Sequence, residues 1–155
     1  MSFETPRGTR GVHQPAFLKP IANLVNRFTA SRIRKTGKAF GTMPALVLTT
    51  VGAKSGLERS TPVAYFPDGH GNWLIVASYA GAPTNPAWYH NIAAHPDQLR
   101  IEIGGRTENV SATELHGADR DAAWEQIITA SDRFAGYQQK TDRQLPIIRL
   151  TPRPS

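Results

Sequence analysis

PALVLTTVGAKSGLERSTPVAYF, residues 44–66, is the stretch on which the fold turns. Ala45 to Val51 is an unbroken β-prone run, which predicts a strand buried on both faces. Gly52-Ala53-Lys54-Ser55-Gly56 then breaks the run with a turn. Ser60 to Phe66 predicts a second strand, and Pro62 assigns it to an edge or a bulge because proline brings no N–H to a ladder. Two strands joined by so short a turn pair antiparallel.

Downstream the same grammar repeats. Pro67-Asp68-Gly69-His70-Gly71 predicts a turn and Trp73 to Ser78 a third strand. Asn85 predicts an N-cap with Pro86 at the first helical position, and the helix runs to Ala94 or His95 before Pro96. Leu99–Ile103 and Thr107–Leu115 predict a hairpin around Gly104-Gly105. Asp119 to Ala130 predicts a helix that buries Trp124, Ile127 and Ile128, and Pro146 to Leu150 a last strand. Phe134, Tyr137 and Thr141-Asp142-Arg143 fall in the connector between them. The sum is an α+β, mainly β chain of about six antiparallel strands, a sheet or small barrel rather than a doubly wound fold.

Upstream, residues 1–15 are polar and predict a flexible arm. In residues 16–40, Phe17, Leu18, Ile21, Leu24, Val25 and Phe28 lie within an arc of roughly 120°, which predicts an amphipathic helix and then a linker. The barrel domain is expected over 41–155. Residues 1–40 hold eight Lys/Arg against one acid, and residues 41–155 hold ten against eleven, so the net charge of +6 belongs to the N-terminal quarter. A nucleic-acid partner is therefore not expected. With no cysteine there is no disulfide, thiolate metal site or Cys nucleophile. His13, His70, His90, His95 and His116 form no ligand spacing, so no metal is expected. No signal-peptide core precedes the chain's helix, which predicts a cytoplasmic protein, with residues 16–40 facing either an anionic membrane surface, the anionic tail of a ligand, or solvent from a helix packed on the barrel.

Three places carry candidate chemistry. The Gly52–Gly56 turn lacks the spacing of a nucleotide phosphate loop, but its backbone amides with Lys54 and Arg59 make a phosphate seat; the other reading is a hairpin turn with solvated cations. Ser78 to Pro83 is small and precedes a helix start, which suits either a ligand's close approach or a tight strand-to-helix connection. Trp88, Tyr89 and Ile92 share one side of a short helix, a spacing that favours core. No Gly-x-Ser-x-Gly elbow is present.

Together, LVLTTVGAKSGLERSTPVAYF (46–66), WLIVASYAGAPTNPAWYHNIAAHP (73–96) and FAGYQQKTDRQLPIIRL (134–150) resemble the deazaflavin-dependent nitroreductase family, also called the F420H2-dependent quinone reductases of actinobacteria. The resemblance implies a split β-barrel of the FMN-binding type, the 8-hydroxy-5-deazaflavin coenzyme F420, and hydride transfer to a quinone, enone or nitroarene. It places Lys54, Ser55, Gly56 and Arg59 on the coenzyme's phosphodiester side and Pro62 and Val63 beside its ring. Ala77, Ser78, Tyr79, Gly81 and Ala82 border ring and chain, and Trp88, Tyr89 and Asn91 match a Trp-Tyr-x-Asn signature. Ser78 and Tyr137 are the expected catalytic residues, Ser78 bonding near the hydride carbon and Tyr137 contacting the acceptor or giving it a proton. Tyr79 stands where relatives that reduce nitroimidazoles commonly have Lys, and Ser131 and Phe134 stand where they place tyrosines. A non-catalytic ligand-binding module and an FMN enzyme of the same fold are the alternatives, and the chain is expected as a monomer or homodimer.

Overall fold

The computed structural model describes residues 3, 8, 38–39, 43–78, 81 and 84–153. The expected arm and basic helix lie outside the described residues, apart from Phe3, Gly8 and Lys38–Ala39, which forms a strand where a linker was expected. The elements are β1 (Lys38–Ala39), β2 (Met43–Val51), β3 (Glu58–Ala64), β4 (Phe66–Pro67), β5 (Trp73–Val76), α1 (Ala87–Ala94), β6 (Leu99–Ile103), β7 (Arg106–Glu114), α2 (Gly117–Ala130), α3 (Arg133–Gln139) and β8 (Ile147–Pro152). Each of the six predicted strands is present.

All pairings are antiparallel, and the path β1-β2-β6-β7-β8-β5-β4 has β3 on the other side of β2. β3, beside β2, and β4, at the far end of the path, belong to one piece of chain. Residues 58–64 pair with β2, the Tyr65 amide still donates to Pro44 O at 3.3 Å, and Phe66 and Pro67 then pair with β5. A sequence reading makes residues 60–66 one strand; the structure divides it at Tyr65, where it changes partners and so curls the sheet into the split barrel. Among the described residues β3 pairs only with β2, so Pro62 sits on an edge as expected. Gly104 and Gly105, at φ 57° and 79°, supply the two left-handed residues of the β6–β7 turn.

The barrel separates two cores. Leu46, Leu48, Ile75, Ile101, Val110 and Ile148 point inward, joined by Trp88, Tyr89 and Ile92 of α1. Leu74, Val76 and Ile147 point outward beneath Ala123, Ile127 and Phe134 of α2 and α3. The period-two alternation of β5 feeds both. Two helix expectations need correction. α2 begins at Gly117 and buries Arg120, Ala123 and Ile127; Trp124 is half-buried because it stacks on the Arg120 guanidinium, 5.4 Å from its ring. The predicted connector contains α3, whose Phe134 meets Phe66 edge-on at 5.7 Å and so gains a packed face. Among the described residues no helix is long and apolar enough to cross a membrane.

The β4–β5 closure is fixed by Asp68, whose carboxylate accepts from the His70 amide (2.7 Å), the Asn72 amide (3.1 Å) and Asn72 Nδ2 (2.9 Å). Burial alone raises this carboxyl; the bonds from Asn72 and His70 outweigh it and hold it below its ordinary value. A depressed carboxylate stabilises the fold above the unfolded range near about 3.9 and loses that contribution as pH falls through the folded value. Asp68→Ala therefore costs about 1–3 kcal/mol at pH 7 in urea unfolding, and the difference from the native protein narrows toward pH 2.

Candidate functional site

The β2–β3 turn is held from within and from α1. The Gly52 amide donates to Leu57 O (2.8 Å), Gly56 to Gly52 O (3.0 Å) and Leu57 to Ser55 Oγ (3.2 Å). The Ala53 amide donates to Asn91 Oδ1 (2.9 Å), while Asn91 Nδ2 donates to Thr50 Oγ1 (3.2 Å). A Cβ on Gly52 would lie 2.4 Å from Ser55 Oγ, so only glycine closes this turn without moving its neighbours. Of the expected seat of backbone amides, those of Gly52, Gly56 and Leu57 are spent within the turn and that of Ala53 on Asn91. The side chains of Lys54 and Arg59 are exposed. Their neighbour Glu58 does not neutralise them. Arg100 forks onto it through Nη1 to Oε2 and, at 3.0 Å, Nη2 to Oε1. That hydrogen bond, with the charge behind it, holds the Glu58 carboxyl below its ordinary value. Among the described residues neither Lys54 nor Arg59 makes an ion pair.

The second flank is where β5 leaves the sheet. Val76 pairs with Ile147, which brings Ala77 opposite Pro146. The Ala77 amide donates to Pro146 O at 2.9 Å, but proline has no N–H to return. Arg143 supplies the missing donor. Its Nη1 donates to Ala77 O (2.9 Å) and Asn85 Oδ1 (2.5 Å), and Nη2 to Ser78 O (2.8 Å). The side chain is 1% exposed, and burial pulls its guanidinium below the ordinary value, with the Tyr89 oxygen acting the other way. Asn85 is therefore not the N-cap of α1; Pro86 stands there, because the Asn85 amide oxygen is taken by the buried cation.

Gly81 follows at φ 81° with its amide on Ser78 O (2.9 Å). A Cβ there would sit 2.9 Å from Tyr137 O and 3.1 Å from Lys140 Cβ, so the glycine lets the β5 exit close onto the end of α3. This brings Ser78, Gly81 and Tyr137 together. Tyr137 is half-buried, edge-on to Phe134 at 5.8 Å, with Lys140 Nζ 5.8 Å from its ring. Pro62, Val63 and Ala77 are buried, Val63 and Ala77 in the inner core. Trp88 and Tyr89 are core residues too, and the Tyr89 hydroxyl donates to buried Glu114. Asn91 acts as the clamp on the turn rather than as an exposed group. Tyr79 and Ala82 lie outside the described residues. The sequence reading names Asn85 as a cap and Arg143 only as part of the Thr141-Asp142-Arg143 connector run, and gives neither a role in bracing β5; the available signal is an Arg three residues before a strand-opening proline.

Comparison with known proteins meets this geometry. A family described as F420H(2)-dependent quinone reductase matches residues 23–152. The chain is 40% identical over 117 residues to an F420H(2)-dependent quinone reductase of Mycobacterium tuberculosis, covering 73% of this chain and 76% of that one. A solved F420-H2 dependent reductase shares 35% identity at a TM-score of 0.62, over 69% of this chain and 93% of its own. A solved domain-swapped dimer shares 32% at 0.63, over 84% and 98%.

Arg143→Lys keeps the charge but cannot reach two carbonyls and an amide oxygen at once. It is expected to lower stability by about 1–3 kcal/mol in urea unfolding, since at least one buried acceptor loses its donor.

Proposed function

Given that the chain belongs to the F420H(2)-dependent quinone reductase family, and so is a reductase that works with coenzyme F420, we propose that it moves a hydride from the reduced coenzyme to a quinone, an enone or a nitroarene. The observation that carries this reading is the pairing of two flanks by α1. Lys54 on the β2–β3 turn and Arg59 at the start of β3 make no ion pair among the described residues, Asn91 holds that turn to α1, and Asn85, just ahead of α1, accepts from the guanidinium that braces the end of β5.

The residues present fit the group. Exposed Lys54 and Arg59, free of carboxylates, suit a phosphodiester. The Gly81 approach, tight enough to exclude a Cβ, keeps the β5 exit slim beside a flat ring. When bound, the reduced coenzyme supplies a two-electron hydride, because carbon replaces the central ring nitrogen through which flavins share single electrons. The chain's residues do the rest. Lys54, Ser55, Gly56 and Arg59 hold the phosphate side. Pro62, Val63, Ala77 and Gly81 border the ring. Trp88 and Tyr89 support it from the core, and Asn91 sets the turn. Ser78, whose carbonyl is gripped by Arg143, would offer its hydroxyl to the ring or acceptor, and Tyr137 would give a proton to the reduced acceptor's oxygen.

The test is turnover: purified protein, reduced coenzyme and one acceptor of each class, followed by return of the oxidised chromophore. Ser78→Ala and Tyr137→Phe are expected to lower kcat about 10–100-fold with smaller changes in KM. Lys54→Ala and Arg59→Ala should raise the coenzyme KM with kcat nearly unchanged. No oxidation with any acceptor refutes the reading.

A further inference from the structure

The family match begins at residue 23, yet two residues ahead of it are seated on the brace. Gly8 is buried against the base of Arg143. A Cβ on Gly8 would lie 2.5 Å from Asp142 Oδ1, 2.7 Å from Arg143 Cβ and 2.8 Å from Arg143 N. Two of these three atoms are fixed to the backbone of residue 143, so no side-chain rotation makes room. The Gly8 backbone is not left-handed, and its requirement is one of space alone. Phe3 packs on the inner core and meets Tyr89 edge-on, ring centroids 5.8 Å apart at 71°. Tyr89 belongs to α1, the helix that follows Asn85, and its hydroxyl reaches Glu114.

We infer that Gly8 and Phe3 are positioning residues of the reductase site, contributed by the chain ahead of the family-shared part: Gly8 fixes the root of Arg143, and Phe3 packs on Tyr89 of α1, the helix that follows Asn85, an acceptor of the Arg143 fork. The fork can hold Ala77 O, Ser78 O and Asn85 Oδ1 together only while its root stays in place. Arg143 N donates to Thr141 Oγ1 at 3.1 Å on the same side that Gly8 covers, so the loop and the N-terminal residue form one packed unit. Shifting that root releases the β5 exit and loosens Ser78, Gly81 and the approach to Tyr137. The effect on turnover rests on the function proposed above; the effect on the brace does not.

The test uses the full chain with Gly8→Ala and, as a control, Gly136→Ala, where an added Cβ meets nothing within 4 Å. Amide exchange is read at Gly81, whose bond to Ser78 O reports the braced carbonyl, and at Ala77, bonded to Pro146 O. Gly8→Ala is expected to speed exchange at both by about tenfold or more while β2 and β6 amides keep their rates, and Gly136→Ala to change neither. Turnover should then fall about 10–100-fold in kcat/KM for the reduced coenzyme, mostly through kcat. Unchanged exchange at Gly81 in Gly8→Ala overturns the inference. Should that variant fail to accumulate, Phe3→Ala decides: faster exchange at the same amides supports the role, and native rates overturn it. A native chain that turns over nothing refutes the proposed function, and the exchange result still judges the brace.

Discussion

A buried guanidinium standing in for a proline's missing N–H is the interaction on which the site depends. Antiparallel partners exchange two hydrogen bonds, and opposite Ala77 the partner is Pro146, which gives an acceptor and no donor. An unpaired carbonyl there would cost about 1–3 kcal/mol. Arg143 fills the gap and, with its remaining N–H groups, also takes Ser78 O and Asn85 Oδ1. A full positive charge is expensive to bury, and the three acceptors offset part of that cost. The outcome is a strand end that leaves the sheet along one path.

The other flank repeats the logic with a neutral side chain. Asn91 uses its carboxamide oxygen on the Ala53 amide and its nitrogen on Thr50, so the turn bearing Lys54 is fixed to α1 rather than to its own strand alone. Since Asn85 lies just ahead of the same helix, α1 sets the distance between the two flanks. Its inward residues Trp88, Tyr89 and Ile92 are anchored in the barrel core, which makes the helix a rigid spacer. The signature Trp-Tyr-x-Asn thus serves the site mainly by holding it in shape.

Much of this was legible in the sequence. The six longer strands follow from β-branched runs, the β6–β7 hairpin from Gly104-Gly105, and the edge position of β3 from Pro62. The residues proposed for the site, Ser78, Gly81, Tyr137 and the Lys54 turn, were legible from small-residue and cation patterns and from the family resemblance. What escaped was decided by tertiary partners. Tyr65 divides a strand only because β2 and β5 both need its segment. Asn85 looks like a cap until a buried cation claims it. The turn's amides look available until Asn91 and the turn's own atoms use them. Arg143 reads as part of a connector until Pro146 is found across the sheet from Ala77.

The central claim is that the two flanks hold an anionic deazaflavin through Lys54 and Arg59 and the braced exit of β5. A competitive titration of the native protein with oxidised coenzyme F420 and with FMN, at low and high ionic strength, tests it most directly. Saturable 1:1 binding of the coenzyme, weakened by salt and not displaced by equimolar FMN, is the predicted result. No saturable binding of the coenzyme, or FMN bound equally well, would contradict the account.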